Sequence, residues 1–223
     1  MDYDMTSEPI GNTAAAAAAA RREHGERRVD TAVNMRRCGT SIYFSDSINY
    51  RTMTALIVML REMETEMLED MRLAEEGAKK SKSKYSTVVV EAVPITLYLT
   101  THGGLVHAAF SAVDTIRALK VPVHTVITGY CASAGTLLSL AGVKKSMTPN
   151  SFMMIHEIRS GFWGKYSDAR VDHENITKLM DHVIAYYVSR TKLTKERLVE
   201  MLRHDTDLNG VEALEYGLVD TVA

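Results

Sequence analysis

From residue 87 to residue 156 the chain alternates β-type and helix-type patterning, and this alternation constrains the fold more than any other feature. "TVVVEAVPITLYLT" (87–100) carries strand signals interrupted by Pro94, and "VPVHTVITG" (121–129) reads as a second strand. Between them, "VHAAFSAVDTIRAL" (106–119) repeats apolar residues at helical spacing through Val106, Phe110, Val113, Ile116 and Leu119. "AGTLLSLAG" reads as a further helix, and "SFMMIH" (151–156), after Pro149-Asn150, as a third strand. Parallel neighbours in a sheet need a long crossover, which a helix supplies, so strand-helix-strand-helix implies an α/β fold. At 223 residues, 46% of them hydrophobic, the chain suffices for one such core with appendages.

The flanks extend this plan. "TSIYFSD" (40–46) reads as a strand, and Met53, Leu56, Ile57, Leu60, Met63, Met67 and Leu68 then follow at near-helical spacing. "RLAEEGAKKSKSKYS" (72–86), with a break at Gly77 and alternating Lys and Ser, reads as a solvated loop within a surface insertion at 69–90. Further on, Ile176, Leu179, Met180, Val183, Ile184 and Tyr187 make one apolar helix face. Thr194 is placed to cap "KERLVEML", and "NGVEALEYGLVDTVA" reads as a short helix, a stop at Gly217 and a terminal strand. Residues 1–28, with seven alanines at Ala14–Ala20 and then "RREHGERR", read as a flexible or removable tail ahead of a domain at 29–223.

Charge and cysteine content exclude several classes. A formal net charge of −2 gives no reason to expect nucleic acid or a membrane as partner. Cys38 and Cys131 form neither a metal spacing nor a disulfide framework, which favours a reducing compartment such as the cytoplasm. No cofactor or metal is expected. One alternative is a calcium loop at "DTDLNG" (Asp205–Gly210), which has acids at positions 1 and 3, but Tyr216 stands where the bidentate glutamate belongs.

Within "TGYCASAGTLLSLAG" (128–142), Ser133 falls between a strand, with Gly129 as the turn, and a helix start. Such strand ends gather ligand and catalytic groups in parallel sheets. Free N–H groups at a helix start favour the negative charge that develops when a serine attacks an amide. Ala134 would supply one donor, and the paired glycines of "THGGL" (101–105) another. A serine needs a base, and His156 ends a strand on the same rim, with Asp205 available to orient the imidazole. Each residue also has a plain structural reading: Ser133 as a small residue at a tight junction, His156 as a satisfied core histidine, Asp205 as a turn or cap. Spacing alone leaves the two readings open.

Three motifs in order add to this. "GYCASAG", "PNSFMMIHEI" and "LNGVEALEYGLVD" resemble the nucleophile, base-histidine and carboxyl-terminal signatures of the ClpP family of serine peptidases, and the resemblance runs from about residue 40 to residue 221. It implies Ser133 as nucleophile, His156 as general base, Asp205 as third triad member, and the backbone of Gly104 and Ala134 as oxyanion hole. It also implies a crotonase-like α/β core of repeated strand-strand-helix units and a helical handle protruding at about 161–187. Leu105 and Gly161 would line a groove for an extended peptide. The family's pattern is a homo-oligomer of rings enclosing its active sites, fed with peptides or unfolded chains by an ATP-dependent AAA+ unfoldase. Thr100-Thr101-His102, Glu157-Ile158 and Arg203-His204 depart from the family's usual residues. Alternatives are a catalytically silent scaffold subunit in a mixed ring and a crotonase-like acyl-CoA enzyme.

Overall fold

A computed structural model describes residues 33–80 and 93–223. The tail expected at 1–28, and the parts of the expected insertion and strand at 81–92, lie outside the described residues. Met35–Cys38 (β1) pairs antiparallel with Ser41–Phe44 (β2) around Gly39, whose φ of +57° suits the tight hairpin turn. Asn49 then starts Tyr50–Lys80 (α1) through a reciprocal pair of bonds: its Oδ1 accepts from the Thr52 N–H, and Thr52 Oγ1 accepts from the Asn49 N–H, both at 3.0 Å. Met53, Leu56, Leu60 and Met63 are fully buried along α1, as their spacing predicts.

The helix does not stop where the sequence suggests. Residues 72–80, expected as loop, are helical, and Gly77 does not break them. Arg72 pairs with Glu69 at 2.6 Å and Glu76 at 2.5 Å, one turn back and one turn on. Pairs at this spacing support a helix that buries little of its surface.

The sheet follows the crossover logic. Ile95–Thr101 (β3) lies parallel to β2, and Val106–Ala118 (α2) leads to Val123–Ala132 (β4), parallel to β3. Ile95, Leu97 and Leu99 are wholly buried on alternate positions of β3. On its other face Tyr98 stacks on Tyr43, with ring centroids 4.6 Å apart. Strand β4 was expected to end at Gly129 and instead runs on to Ala132. Gly129, at φ +67°, bends the strand without ending it, and the pairing with β3 shifts register across the bend. Before the bend β4 pairs with Lys144–Met147 (β5), and after it with Phe152–Ile155 (β6). The second half of β4 thus carries Ser133 to the tip of β6.

Tyr166–Arg190 (α4) is apolar along one face, yet only Val183, Ile184, Tyr186 and Tyr187 of it are buried. Ile176, Leu179 and Met180, on its earlier turns, remain half-covered. Thr194 caps Lys195–Arg203 (α5), accepting from the Arg197 N–H at 3.3 Å. Thr206–Leu208 (β7) pairs antiparallel with β6, Gly210–Glu215 (α6) follows, and Thr221–Val222 (β8) lies parallel to β5. The carboxyl-terminal signature is scaffold. Asn209 accepts from the Val211 and Glu212 N–H groups while Glu212 reaches back to the Asn209 N–H, and Gly217 turns at φ +71°. The buried Lys145 ammonium donates to the Gly217 and Arg190 carbonyls at 2.8 and 3.0 Å, which ties this terminus to the end of α4.

Candidate active site

Ser133 follows β4 directly and precedes Ala134–Ser139 (α3), with φ 56° and ψ −127°. A residue with a Cβ rarely adopts such angles, and they persist only where the surroundings hold them. Three contacts do so: the Ser133 N–H donates to Met154 O at 2.8 Å, and Ser133 O accepts from the Thr136 N–H at 3.0 Å and from Thr136 Oγ1 at 2.6 Å. The strain turns the Ser133 side chain off the end of the sheet, as in a nucleophile elbow. Thr136 Oγ1 is also bonded to the Tyr187 hydroxyl. Because the threonine proton goes to Ser133 O, Tyr187 is the donor in that pair. Burial pushes the Tyr187 phenol up, so it keeps its proton.

The bond from Ser133 to Met154 sets the serine two residues from His156, at the end of β6. Ser133 and His156 line one cavity of about 180 Å³ together with Gly104, Ala134, Leu137 and Tyr187. Gly103 and Gly104, at φ +90° and +148°, wrap the rim closely enough that Cβ atoms there would lie 2.6 Å from Ser133 Cβ and 2.1 Å from Ile48 O. Ile48 bonds the Gly103 carbonyl and the Leu105 N–H, at 2.8 Å each, so the Gly104 N–H takes no part in that bridge. The Ala134 N–H belongs to the first turn of α3, where no carbonyl lies within the helix to receive it.

The third member stands apart. Pairing of β6 with β7 ends at Ile155 with Thr206, so His156 and Asp205 are the residues that adjoin this last pair on the two strands. Yet the Asp205 carboxylate is bonded to the Arg159 guanidinium, and His156 Nδ1 is buried with no hydrogen-bond partner among the described residues. The structure therefore brings Ser133, His156, Gly104 and Ala134 to one cavity, with Asp205 beside them but turned to Arg159. Leu105 is half-exposed at the start of α2, and Gly161 lies in an exposed irregular segment where a Cβ would meet nothing. Neither lines the cavity.

Sequence reasoning missed Arg159, Thr136 and Tyr187. Only Tyr187 had a signal, and its place on an apolar helix face hid its hydroxyl bond. The calcium reading fails on the same geometry. Asp205 faces Arg159, Asp207 accepts from the Tyr130 hydroxyl at 3.1 Å, and Asn209 caps α6, so three would-be ligands serve three separate partners. Cys131 is wholly buried, which pushes its thiol up to about 12 and leaves it unreactive.

Comparison with known proteins agrees with the motifs. Over 130 residues the chain is 37% identical to the ATP-dependent Clp protease proteolytic subunit of Deinococcus radiodurans, an alignment covering 57% of this chain and 64% of that protein. The chain thus spans a little under two thirds of that relative's length. The family model described as Clp protease matches residues 85–223, well over half of the chain and all of the cavity's lining, so the protein belongs to the Clp protease family.

Proposed function

We propose that the protein is a serine endopeptidase acting on peptides or unfolded chains. The observation that carries this reading is the strained Ser133, held between β4 and α3 on a cavity shared with His156. In the proposed reaction Ser133 Oγ attacks the peptide carbonyl carbon while its proton passes to His156 Nε2. The N–H groups of Gly104 and Ala134 receive the oxyanion. Collapse breaks the C–N bond, and the imidazolium returns the proton to the leaving amine. Water, activated by His156, then hydrolyses the acyl-serine. Asp205, on His156 Nδ1, orients the ring and stabilises its charged form.

Assembly into rings and delivery by an AAA+ unfoldase belong to the same proposal. Support for assembly comes from the helix α4 and the segment before it, where Trp163, Tyr166 and Val171 are exposed and the neighbouring apolar residues half-covered. Among the described residues no helix is long and apolar enough to cross a membrane.

A labelled fluorophosphonate followed by peptide mapping tests the reading, because it reacts only with an activated nucleophile. Label on Ser133 is expected. Label elsewhere, or none from protein that still cleaves peptides, overturns the assignment. Gly104→Ala tests the oxyanion hole. Its Cβ would press on the Ile48 carbonyl, a backbone atom that cannot yield cheaply, and push the Gly104 N–H off its line. Turnover should fall by about 10²-fold or more, with labelling slowed in step, whereas a change under threefold would remove Gly104 from the hole.

A further inference from the structure

We propose that Arg159 determines specificity at this site: its guanidinium holds Asp205 in the empty cleft and exchanges it for a side-chain carboxylate of the bound peptide, releasing Asp205 to His156. The substrates this favours carry Asp or Glu at a position flanking the bond cut. The inference rests on the serine-peptidase reading above and adds to it a substrate class and a mode of control.

Two observations carry it. Arg159 lines the same cavity as Ser133 and His156, so a peptide lying over the serine passes its guanidinium. The Asp205 carboxylate is bonded to that guanidinium while His156 Nδ1, on the other residue adjoining the last β6–β7 pair, is buried without a partner among the described residues. A buried ring nitrogen that water does not reach lacks a bond that a carboxylate can provide. The Asp205 carboxylate, next to the same last pair, is occupied by Arg159. What holds it is an exposed pair, with side chains 70% and 50% accessible, and such pairs contribute little and exchange readily.

Chemistry makes the exchange one for one. A guanidinium presents a planar fork that fits any carboxylate, whether from Asp205 or from a peptide. Once a peptide carboxylate takes the fork, Asp205 loses its partner and turns to Nδ1–H. Glu157 also lines the cavity, so a substrate carboxylate is accepted only where Arg159 faces it. The preference is therefore tied to one position in the peptide and is not a general attraction to acidic chains.

The test uses the full-length protein and a fluorogenic peptide series with Glu or Gln, in turn, at each position flanking the cleaved bond. At one position Glu should exceed Gln by about 10-fold or more in kcat/KM, with kcat itself raised, because the carboxylate completes the triad as well as binding. In Arg159→Leu that ratio should fall to near one, and turnover of the Gln peptide should rise several-fold, since Asp205 is no longer diverted. Arg159→Gln guards against a packing effect of leucine and should behave alike. Absence of any preference in the wild type, its survival in both variants, or slower turnover of the Gln peptide in both overturns the inference while Ser133 still labels. No cleavage and no labelling in any variant overturns the peptidase reading and this inference with it.

Discussion

Ser133→Ala should lower peptide turnover by up to about 10⁶-fold and leave the thermal melt nearly unchanged. The two halves of this expectation have separate causes. Activity falls because Oγ is the only proposed group that attacks the carbonyl, and the other catalytic groups serve that attack or act on what it forms. Stability holds because the elbow is fixed by the Ser133 backbone, through Met154 O and Thr136, and alanine keeps those bonds. Among the described residues no hydrogen bond engages Oγ. Both residues carry a Cβ, so the cost of φ 56° is the same in the variant. Fluorogenic turnover and calorimetry on one preparation check the two together. Activity within tenfold of the wild type would end the serine assignment. The buried Cys131 thiol, pushed to about 12, is not available to replace it.

The same contrast between side chain and backbone explains what was legible in the sequence. Alternation in "PITLYLT" and helical spacing in "VHAAFSAVDTIRAL" come from burial on one face, and β3 and α2 formed where those patterns stand. Strands β1, β5 and β7 left no such mark. "MRRC", "KKSM" and "TDL" are short and polar, and become strands because a neighbour offers its edge. The continuation of β4 past Gly129 was hidden for a related reason. A glycine at φ +67° signals a turn, and whether the strand resumes depends on β6, which pairs only with the later half. From residue 72 to Glu76, where a loop was expected, α1 carries ion pairs of Arg72 with Glu69 and Glu76, which a reading of glycine and lysine-serine runs undervalues.

In the site, Ser133 and His156 were legible because each closes a strand, and strand ends in a parallel sheet share a rim. The partner of Asp205 was not. Arg159 and Asp205 are 46 residues apart, and their segments meet through the antiparallel pairing of β7 on β6 and the bond from the Glu157 N–H to Leu202 O. Thr136 and Tyr187, 51 residues apart, meet because α4 packs its buried end near α3. Periodicity reports which face is covered and is silent on which polar atoms meet beneath it.

Asp205→Asn should lower turnover by about 10²–10⁴-fold with a smaller change in KM. Asparagine matches aspartate in shape, so a residue serving only as a turn at φ 47° tolerates the exchange, asparagine being favoured there. A residue that must accept from His156 Nδ1–H does not. The amide has one acceptor, carries no charge to stabilise the imidazolium, and can present its NH₂ to the ring and select the wrong tautomer. The same substitution weakens the bond to Arg159, and there the two roles of the carboxylate separate. Were the pair with Arg159 merely structural, removing either partner would cost activity or stability in the same direction. As a diversion of the triad, the pair has partners of opposite effect: Asp205→Asn slows cleavage of a neutral peptide, and Arg159→Leu speeds it. Combining them supplies the sharper measurement, because a released carboxylate is the sole source of the gain. Arg159→Leu should therefore add nothing in the Asp205→Asn background, a coupling that a double-mutant cycle on kcat reads directly. Turnover of Asp205→Asn within about tenfold of the wild type would shift the orienting role to Asp207, which lies in β7 two residues on and whose carboxylate accepts a neutral phenol from Tyr130.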